Sequence, residues 1–316
     1  MRVRAQESVE FAGATGNRLV ADRYGANGPA ALLLHGGGQT RHSWGRTAES
    51  LAAAGWVAYA LDQRGHGDSE WIAGGAYAFE DFAADAAAVA ESLAERHGSK
   101  PVAVGASLGG IASLLAEGEA ARCGRAPVFS ALVLVDVTPR VDPQGVSKIQ
   151  SFMRAHAREG FATVEEAAEA VARYLPHRPR PRSTAGLQKN LRRHADGRWR
   201  WHWDPKFLDG PRSVAGRREA VEQALVAAAR SLALPTLLVR GGASELVSEE
   251  HAREFLSLVP HAAYADVAGA RHMVAGDRND HFTAEILSFL SGAAGAARAM
   301  TPAEEYGRLL HQADRK

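Results

Sequence analysis

The chain carries the stretch PVAVGASLGG at residues 101–110, an apolar run that passes directly into the pattern Gly-x-Ser-x-Gly. This pattern is typical of a sharp strand-to-helix turn that exposes a serine hydroxyl, here that of Ser107. Gly105 and Gly109 matter because glycine has no Cβ where the chain folds back closely on itself. An ordinary structural turn is the alternative, so the meaning of the pattern depends on the residues that precede and follow it.

Length and composition limit the classes of protein that this chain can represent. Its 316 residues, 46% of them hydrophobic, suit one large α/β domain or a core with an inserted subdomain. The formal net charge of +1 gives no electrostatic reason to bind nucleic acid or an acidic membrane. One cysteine, Cys123, excludes an internal disulfide and a cysteine-based zinc site. With no apolar signal segment and no run of about 20 apolar residues, we expect a cytoplasmic protein without a membrane partner.

Apolar runs without alternation predict the strands of a sheet that is covered on both faces. The runs lie at residues 30–34, 56–61, 102–104, 131–135 and 236–239, and two further strands are predicted at 19–24, which alternates weakly, and at 263–267. Helical patterns lie between and after them, at residues 82–93, 108–121, 249–258 and 282–290. This alternation predicts an α/β core with a doubly wound, mostly parallel central sheet, formed by residues 1–138 and 232–292.

The alternation breaks between residues 139 and 231, a segment rich in proline, arginine and histidine without an evident buried strand. Helical patterns occupy residues 151–159, 164–175 and 221–232, and PHRPRP at 176–181 predicts a rigid extended connector. We therefore predict an inserted helical cap at residues 139–231. The tail, residues 293–316, is expected to contain one helix, because TPAE at 301–304 combines an N-cap, a proline at N1 and an acidic first turn.

A glycine-rich loop, HGGG at residues 35–38, follows the strand predicted at 30–34. Without Cβ atoms, such a backbone approaches a ligand closely and directs N–H groups toward it. When it accompanies a nucleophile turn, one N–H of the loop and one of the residue after the serine form an oxyanion hole. Those donors would be Gly37 and Leu108, while His35 is expected to order the loop. A plain glycine-rich connection is the alternative.

A serine hydroxyl is a weak nucleophile and needs a hydrogen-bonded base. His272 is the candidate, because GARHMV at 269–274 directly follows the last core strand. The acid that orients the histidine is expected after the penultimate core strand, where Glu245 is the one carboxylate in RGGASELV at 240–247. Asp136 is the second candidate, because it ends a strand that lies beside the nucleophile strand. We favour Glu245 and keep Asp136 as the alternative.

Four motifs, in this order, resemble those of the α/β-hydrolase family: HGGG at 35–38, DQRGHGDS at 62–69, GASLGG at 105–110 and GARH at 269–272. The resemblance covers residues 18–138 and 232–292. It implies hydrolysis of an ester, thioester or related acyl bond through an acyl-enzyme, with no cofactor and no metal, and a structural role for Arg64. Glu245 stands where the family usually has aspartate, and Arg271 where it usually has glycine.

Tryptophans are concentrated in the insertion, where WRWHWDP occupies residues 199–205. Alternating aromatic and basic residues can stack on single-stranded nucleic acid, but the near-neutral charge and the enzyme motifs argue against that partner. We expect Trp199, Trp201 and Trp203 to pack the cap onto the core and to line an apolar acyl pocket. Trp44 is expected to form its opposite wall.

The leading hypothesis is a carboxylesterase-like serine hydrolase that acts on a small, partly apolar ester. Carbon–carbon bond hydrolysis and cofactor-free haloperoxidase chemistry reuse the same triad and are the alternatives, together with a small-molecule receptor that turns over little. A serine nucleophile in place of an aspartate argues against epoxide hydrolases and haloalkane dehalogenases. The sequence leaves the identity of the substrate and the oligomeric state open.

Overall fold

The computed structural model describes residues 7–178, 180–181, 183–216, 218–274 and 279–298, without the side chains of 293–298. The strands within these residues are β1 (Glu7–Ala12), β2 (Arg18–Tyr24), β3 (Ala30–Leu34), β4 (Val57–Asp62), β5 (Val102–Ala106), β6 (Ala131–Val135), β7 (Leu191–Arg193), β8 (Trp199–Trp201), β9 (Thr236–Gly241) and β10 (Ala263–Val267). β7 and β8 form a separate hairpin, and the other eight strands form one sheet.

The central sheet has the strand order β1-β2-β4-β3-β5-β6-β9-β10. β2 pairs antiparallel with both β1 and β4, and every neighbouring pair from β4 to β10 is parallel. All residues of β3, β4 and β6 are buried, as expected for strands with helices on both faces. The predicted α/β-hydrolase fold is confirmed. The sequence analysis missed β1, an edge strand whose side chains are mostly exposed.

Helices cover both faces of this sheet. They are α1 (Gly45–Ala53), α2 (Phe79–His97), α3 (Leu108–Arg122), α4 (Pro143–Ala155), α5 (Val164–Tyr174), α6 (Ala185–Gln188), α7 (Lys206–Asp209), α8 (Arg218–Arg230), α9 (Glu249–Leu258) and α10 (Asn279–Arg298). One apolar layer contains Leu93, Leu114, Leu225 and Phe255 from α2, α3, α8 and α9. The other lies between the sheet and α1 and α10. The two layers hold the strand ends in fixed positions.

The cap consists of α4 to α7 and the β7–β8 hairpin, and it packs on the core through a third apolar cluster. In this cluster Met153, Phe161 and Phe207 of the cap join Phe82 and Leu108 of the core. The hairpin corrects the prediction of an all-helical insertion. Its strands are three residues long, too short to produce the apolar run by which the core strands were recognised.

The boundary predicted for the end of the cap is also corrected. α8 was assigned to the cap, but its residues Leu225, Ala228 and Ala229 belong to the core layer. A Cβ added at Gly118 of α3 would lie 2.4 Å from the Cβ of Ala228, so α3 and α8 are in close contact. The insertion therefore ends before α8.

Two further predictions concern membranes and the tail. Across the described ranges, no helix combines the length and apolar character needed to cross a bilayer. The helix predicted from Met300 onward lies outside the described residues, which end with α10 at Arg298.

Candidate active site

Four neighbouring parallel strands deliver the predicted site residues to one edge of the sheet. Ser107 follows β5, Asp136 follows β6, Glu245 lies in the loop after β9, and His272 lies in the loop after β10. These strands are adjacent in this order, so their carboxyl ends meet at the same edge. Ligand sites of open α/β sheets form in this position.

Ser107 has a backbone conformation that residues other than glycine rarely adopt. Its φ is +46° and its ψ is −110°, between the end of β5 and the start of α3. A Cβ added at Gly105 would lie 2.5 Å from the backbone of Gly109, and one added at Gly109 would lie 2.2 Å from the carbonyl oxygen of Leu34. Strained non-glycine residues of this kind cluster at active sites, where the surrounding structure imposes the strain. The sharp turn predicted at this position is present.

His272 is held by Asp136. The Nδ1 atom of His272 lies 2.7 Å from Oδ2 of Asp136, whose side chain is fully buried. Asp136 accepts two more hydrogen bonds, from the N–H of Gly241 to Oδ1 at 2.9 Å and from the Ser244 hydroxyl to Oδ2 at 2.5 Å. These donors compensate the carboxylate for its lost hydration and fix its orientation. Through it they also fix the orientation of the imidazole ring.

This geometry corrects the preference for Glu245 as the partner of His272. In the loop after β9, Ser244 turns toward Asp136, and its hydroxyl oxygen also accepts the N–H groups two and three residues further along, both at 3.1 Å. Among the described residues no hydrogen bond joins Glu245 to His272, whose Nδ1 is taken by Asp136. The backbone of Glu245 lies against Gly145 at the start of α4, where an added Cβ would be 2.3 Å from the Glu245 carbonyl oxygen.

Asp136 occupies Nδ1 of His272, so Nε2 is the ring nitrogen left for the role as base that the sequence predicts. Between His272 and Ser107, both described residues, the structure records no hydrogen bond. In free enzymes such catalytic hydrogen bonds are often long and tighten only when the substrate binds. The His272 side chain is 15% exposed, whereas the side chain of its partner Asp136 is fully buried. The buried carboxylate limits the movement of the imidazole ring.

Two buried histidines fix the glycine loop after β3. Nε2 of His66 accepts the N–H of Gly38 at 3.1 Å, and Nε2 of His35 accepts the N–H of Gln63 at 3.1 Å. Each Nδ1–H therefore donates to a nearby backbone carbonyl, at 2.9 Å and 2.8 Å respectively. Burial lowers the pKa of His35 to about 4 and that of His66 to about 3, so both rings are neutral at pH 7. His35 orders the loop, as expected from the sequence.

The segments that contain Gly37 and Leu108 both adjoin Ser107. A Cβ added at Gly36 would lie 3.5 Å from the Cβ of Ser107, so the glycine loop passes directly beside the serine. Leu108 is the first residue of α3, and the N–H of a first helical residue has no partner within its own helix. The assignment of the Gly37 and Leu108 N–H groups as oxyanion donors stays a prediction.

The cap covers the glycine loop with apolar side chains. A Cβ added at Gly37 would lie 3.0 Å from the ring of Phe207. One added at Gly38 would lie 2.7 Å from Cε of Met153 and 3.7 Å from the indole nitrogen of Trp203. The surface beside the candidate nucleophile is therefore largely apolar.

The motif at residues 62–69 contacts the cap through backbone hydrogen bonds. The N–H of Gly67 donates to the carbonyl of His202 at 2.7 Å, and the N–H of Asp204 donates to the carbonyl of Gly65 at 2.8 Å. Arg64 is 1% exposed and donates two hydrogen bonds to a carboxylate of α2, at 2.7 and 2.6 Å. These contacts agree with the structural role that the resemblance implied for Arg64.

The four tryptophans predicted to line the pocket lie in different places. Trp44 is 1% exposed and packs against Phe282 of α10, with ring centroids 6.0 Å apart. It belongs to the core layer between the sheet and α1 and α10, which corrects its assignment as a pocket wall. Trp199 and Trp201 pack within the apolar cluster of the cap, and Trp203 reaches the glycine loop.

A cavity opens beside His272 between the cap and the core. We call it the base-side cavity, and its polar lining consists of Tyr174, His177, Arg178, Glu245, Arg271 and His272. The lining places Glu245 and Arg271, the two departures from the family pattern, next to the base.

Two residues of the site were missed by the sequence analysis. Ser244 and His66 both lie in quoted motifs, but a serine in a glycine-rich turn and a histidine between glycines are indistinguishable from ordinary loop residues. Their roles depend on hydrogen bonds to distant segments, from Ser244 to Asp136 and from Gly38 to His66. Among the described residues, no three histidine, cysteine, aspartate or glutamate side chains are grouped as a metal site requires.

Comparisons with known proteins agree with this fold. The family model for serine aminopeptidase, S33, matches residues 28–279. Esterase Rv0045c of Mycobacterium tuberculosis is 31% identical over 242 residues, 75% of this chain and 74% of that protein. The 3-hydroxybutyrate-oligomer hydrolase of Cupriavidus necator is 26% identical over 271 residues, 81% of this chain and 87% of that protein. A solved structure of E-2-(acetamidomethylene)succinate hydrolase has a TM-score of 0.77 at 22% identity and covers 90% of this chain and 99% of that one. The chain belongs to the α/β-hydrolase family that the S33 model describes.

Proposed function

We propose that this hydrolase cleaves a carboxylic ester through a serine-bound acyl intermediate. The observation that carries the proposal is the hydrogen bond between His272 and the buried Asp136, at the sheet edge that also presents Ser107 in a strained turn. This arrangement supports the proposal because acyl transfer needs a nucleophile, a base and an acid that lie close together. Similarity to a mycobacterial esterase supports an ester as the bond that is cleaved.

In the proposed reaction the Ser107 hydroxyl attacks the ester carbonyl while Nε2 of His272 takes its proton. Asp136 holds the opposite ring nitrogen and stabilises the imidazolium that forms. The N–H groups of Gly37 and Leu108 stabilise the oxyanion, and in other enzymes the loss of one such donor costs about 2.7–4 kcal/mol. His272 then protonates the leaving alcohol, and water cleaves the acyl-enzyme by the same route.

The acyl group is proposed to be small and partly apolar. Met153, Trp203 and Phe207 cover the glycine loop, so an apolar chain bound beside the oxyanion donors would contact them. Such contacts favour binding because they remove apolar surface of the substrate from water.

The test is the hydrolysis of p-nitrophenyl esters from acetate to octanoate by the wild type and by Ser107→Ala. We expect the variant to lose at least about 10⁴-fold in kcat, as nucleophile removal does in serine hydrolases. Ser257→Ala, an exposed serine of α9, is the matched control and should keep the wild-type rate. Equal turnover by Ser107→Ala and the wild type would overturn the proposal.

The alternatives are tested with the same proteins. Turnover of a vinylogous diketone, without turnover of esters, would assign carbon–carbon bond hydrolysis. Halogenation of a β-diketone with peroxide and halide would assign haloperoxidase chemistry. Tight binding of a small molecule without reaction at Ser107 would assign a receptor.

A further inference from the structure

The base-side cavity contains a carboxylate that the proposed reaction does not use. Oε2 of Glu245 is buried and accepts no hydrogen bond, while its side chain lines the cavity together with His272. A carboxylate oxygen removed from water without a donor is destabilising, and buried polar atoms in proteins nearly always have a partner. The position of Glu245 therefore requires an explanation beyond folding.

The neighbouring side chains do not satisfy this oxygen. Tyr174 lines the same cavity, and its pKa is raised to about 12 by burial and then by the charge of Glu245, yet the two residues form no hydrogen bond. No ion pair within 4.0 Å joins Glu245 to a basic side chain of the described residues. Glu245 thus lies at the wall of the cavity with one carboxylate oxygen that has no donor.

The charges around the cavity restrict which kind of chemical group can bind there. Arg178 and Arg271 also line it, so a ligand ammonium group would meet two cations as well as the carboxylate. A hydroxyl brings no charge. A hydroxyl can donate one hydrogen bond to a carboxylate while its oxygen accepts another, for example from a phenol such as that of Tyr174.

The position of the cavity indicates which part of an ester enters it. The lining includes His272 and both of its chain neighbours, Arg271 and Met273, but no residue of the glycine loop at 35–38. In ester cleavage the histidine passes its proton to the leaving alcohol, whereas the oxyanion donors contact the acyl carbonyl. A group bound beyond the histidine, away from the loop, belongs to the alcohol.

We propose that Glu245 is a specificity residue that accepts a hydrogen bond from a second hydroxyl on the leaving alcohol. The preferred substrates are then monoesters of diols or of other polyhydroxy alcohols. This inference rests on the ester hydrolysis proposed above.

The experiment compares 2-hydroxyethyl butyrate with propyl butyrate, two esters in which a hydroxyl replaces a methyl group. The wild type should prefer the hydroxyethyl ester by about tenfold in kcat/KM, in line with a hydrogen bond to a charged group. Burial of a methyl group would by itself favour the propyl ester, so the expected preference is opposite to the hydrophobic effect. Glu245→Leu should reduce the ratio to one or below, and Glu245→Gln, which keeps a neutral acceptor, should give an intermediate ratio. Glu250→Gln, an exposed carboxylate of α9, should keep the wild-type ratio.

The readout is the ratio of the kcat/KM values for the two esters. A loss of folded or active protein lowers both values equally and leaves their ratio unchanged. The same ratio in Glu245→Leu and the wild type overturns the role of Glu245 while leaving ester hydrolysis in place. Failure of the wild type to cleave either ester overturns the proposed function, and this inference with it. If the Glu245-dependent preference occurs for ethyl 3-hydroxybutyrate over ethyl 3-methylbutyrate, and not for the alcohol pair, the assignment to the leaving group is wrong.

Discussion

Replacement of Asp136 by asparagine changes the acid of the proposed triad without straining the backbone. The φ of Asp136 is +49°, a conformation that asparagine tolerates better than alanine does. The side chain keeps its size in a site that is fully buried. A change in activity can therefore be attributed to the lost carboxylate.

The magnitude follows from the hydrogen bonds that Asp136 accepts. Oδ2 accepts hydrogen bonds from both His272 and Ser244, and Oδ1 accepts one from Gly241. An amide has one oxygen, so an N–H₂ group must face some of these donors. If it faces His272, the ring adopts the tautomer that carries hydrogen on Nε2 and cannot take a proton from Ser107. We expect kcat to fall about 10⁴-fold, which corresponds to about 5 kcal/mol of transition-state stabilisation.

The assay is steady-state hydrolysis of p-nitrophenyl butyrate, with Glu245→Gln as the comparison and thermal unfolding as the control for folding. Asp136→Asn should lose activity through kcat with little change in KM, and Glu245→Gln should lose no more than about tenfold. The reasoning is refuted if Asp136→Asn stays within tenfold of the wild type while Glu245→Gln loses a thousandfold.

Three further predictions address the support of the site. Ser244→Ala should lower kcat about tenfold with little change in KM, because Asp136 loses one of the donors that fix its orientation. Ser244→Thr should restore kcat, and a wild-type kcat in the alanine variant would argue against a positioning role. Gly109→Ala should lower the free energy of unfolding in urea by about 3 kcal/mol or abolish folding, because its Cβ would lie 2.2 Å from a carbonyl oxygen of β3. An unfolding midpoint equal to that of the wild type would contradict the turn geometry. His35 and His66 have pKa values lowered to about 4 and about 3, so between pH 6.5 and 4 the unfolded chain binds protons that the folded chain does not. The free energy of unfolding should therefore fall by about 3 kcal/mol per histidine as the pH decreases to 4, and His66→Gln should show a shallower decrease in urea titrations.

The fold was predictable because its signals are local. The core strands are continuous apolar runs, and the glycines around Ser107 are required by contacts within the same turn and with the adjacent strand. Motif order then placed Ser107 and His272 at one sheet edge. These features follow from short segments, so one sequence is sufficient to recognise them.

The acid and the pocket walls were not predictable because they depend on the directions in which loops turn. Asp136 and Glu245 both follow strands that lie near His272, and only the folded loops show that Asp136 bonds the ring and that Ser244 bonds Asp136. Likewise, the position of Trp44 beneath α10 depends on how distant helices pack, which an aromatic residue in the sequence does not reveal.

The most direct test of the central claim is intact-mass and peptide mass spectrometry after reaction with a fluorophosphonate. The account predicts one adduct per chain on Ser107, no adduct in Ser107→Ala, and labelling slowed by orders of magnitude in Asp136→Asn. Labelling of another residue, or equally rapid labelling of Ser107 in Asp136→Asn, would contradict it.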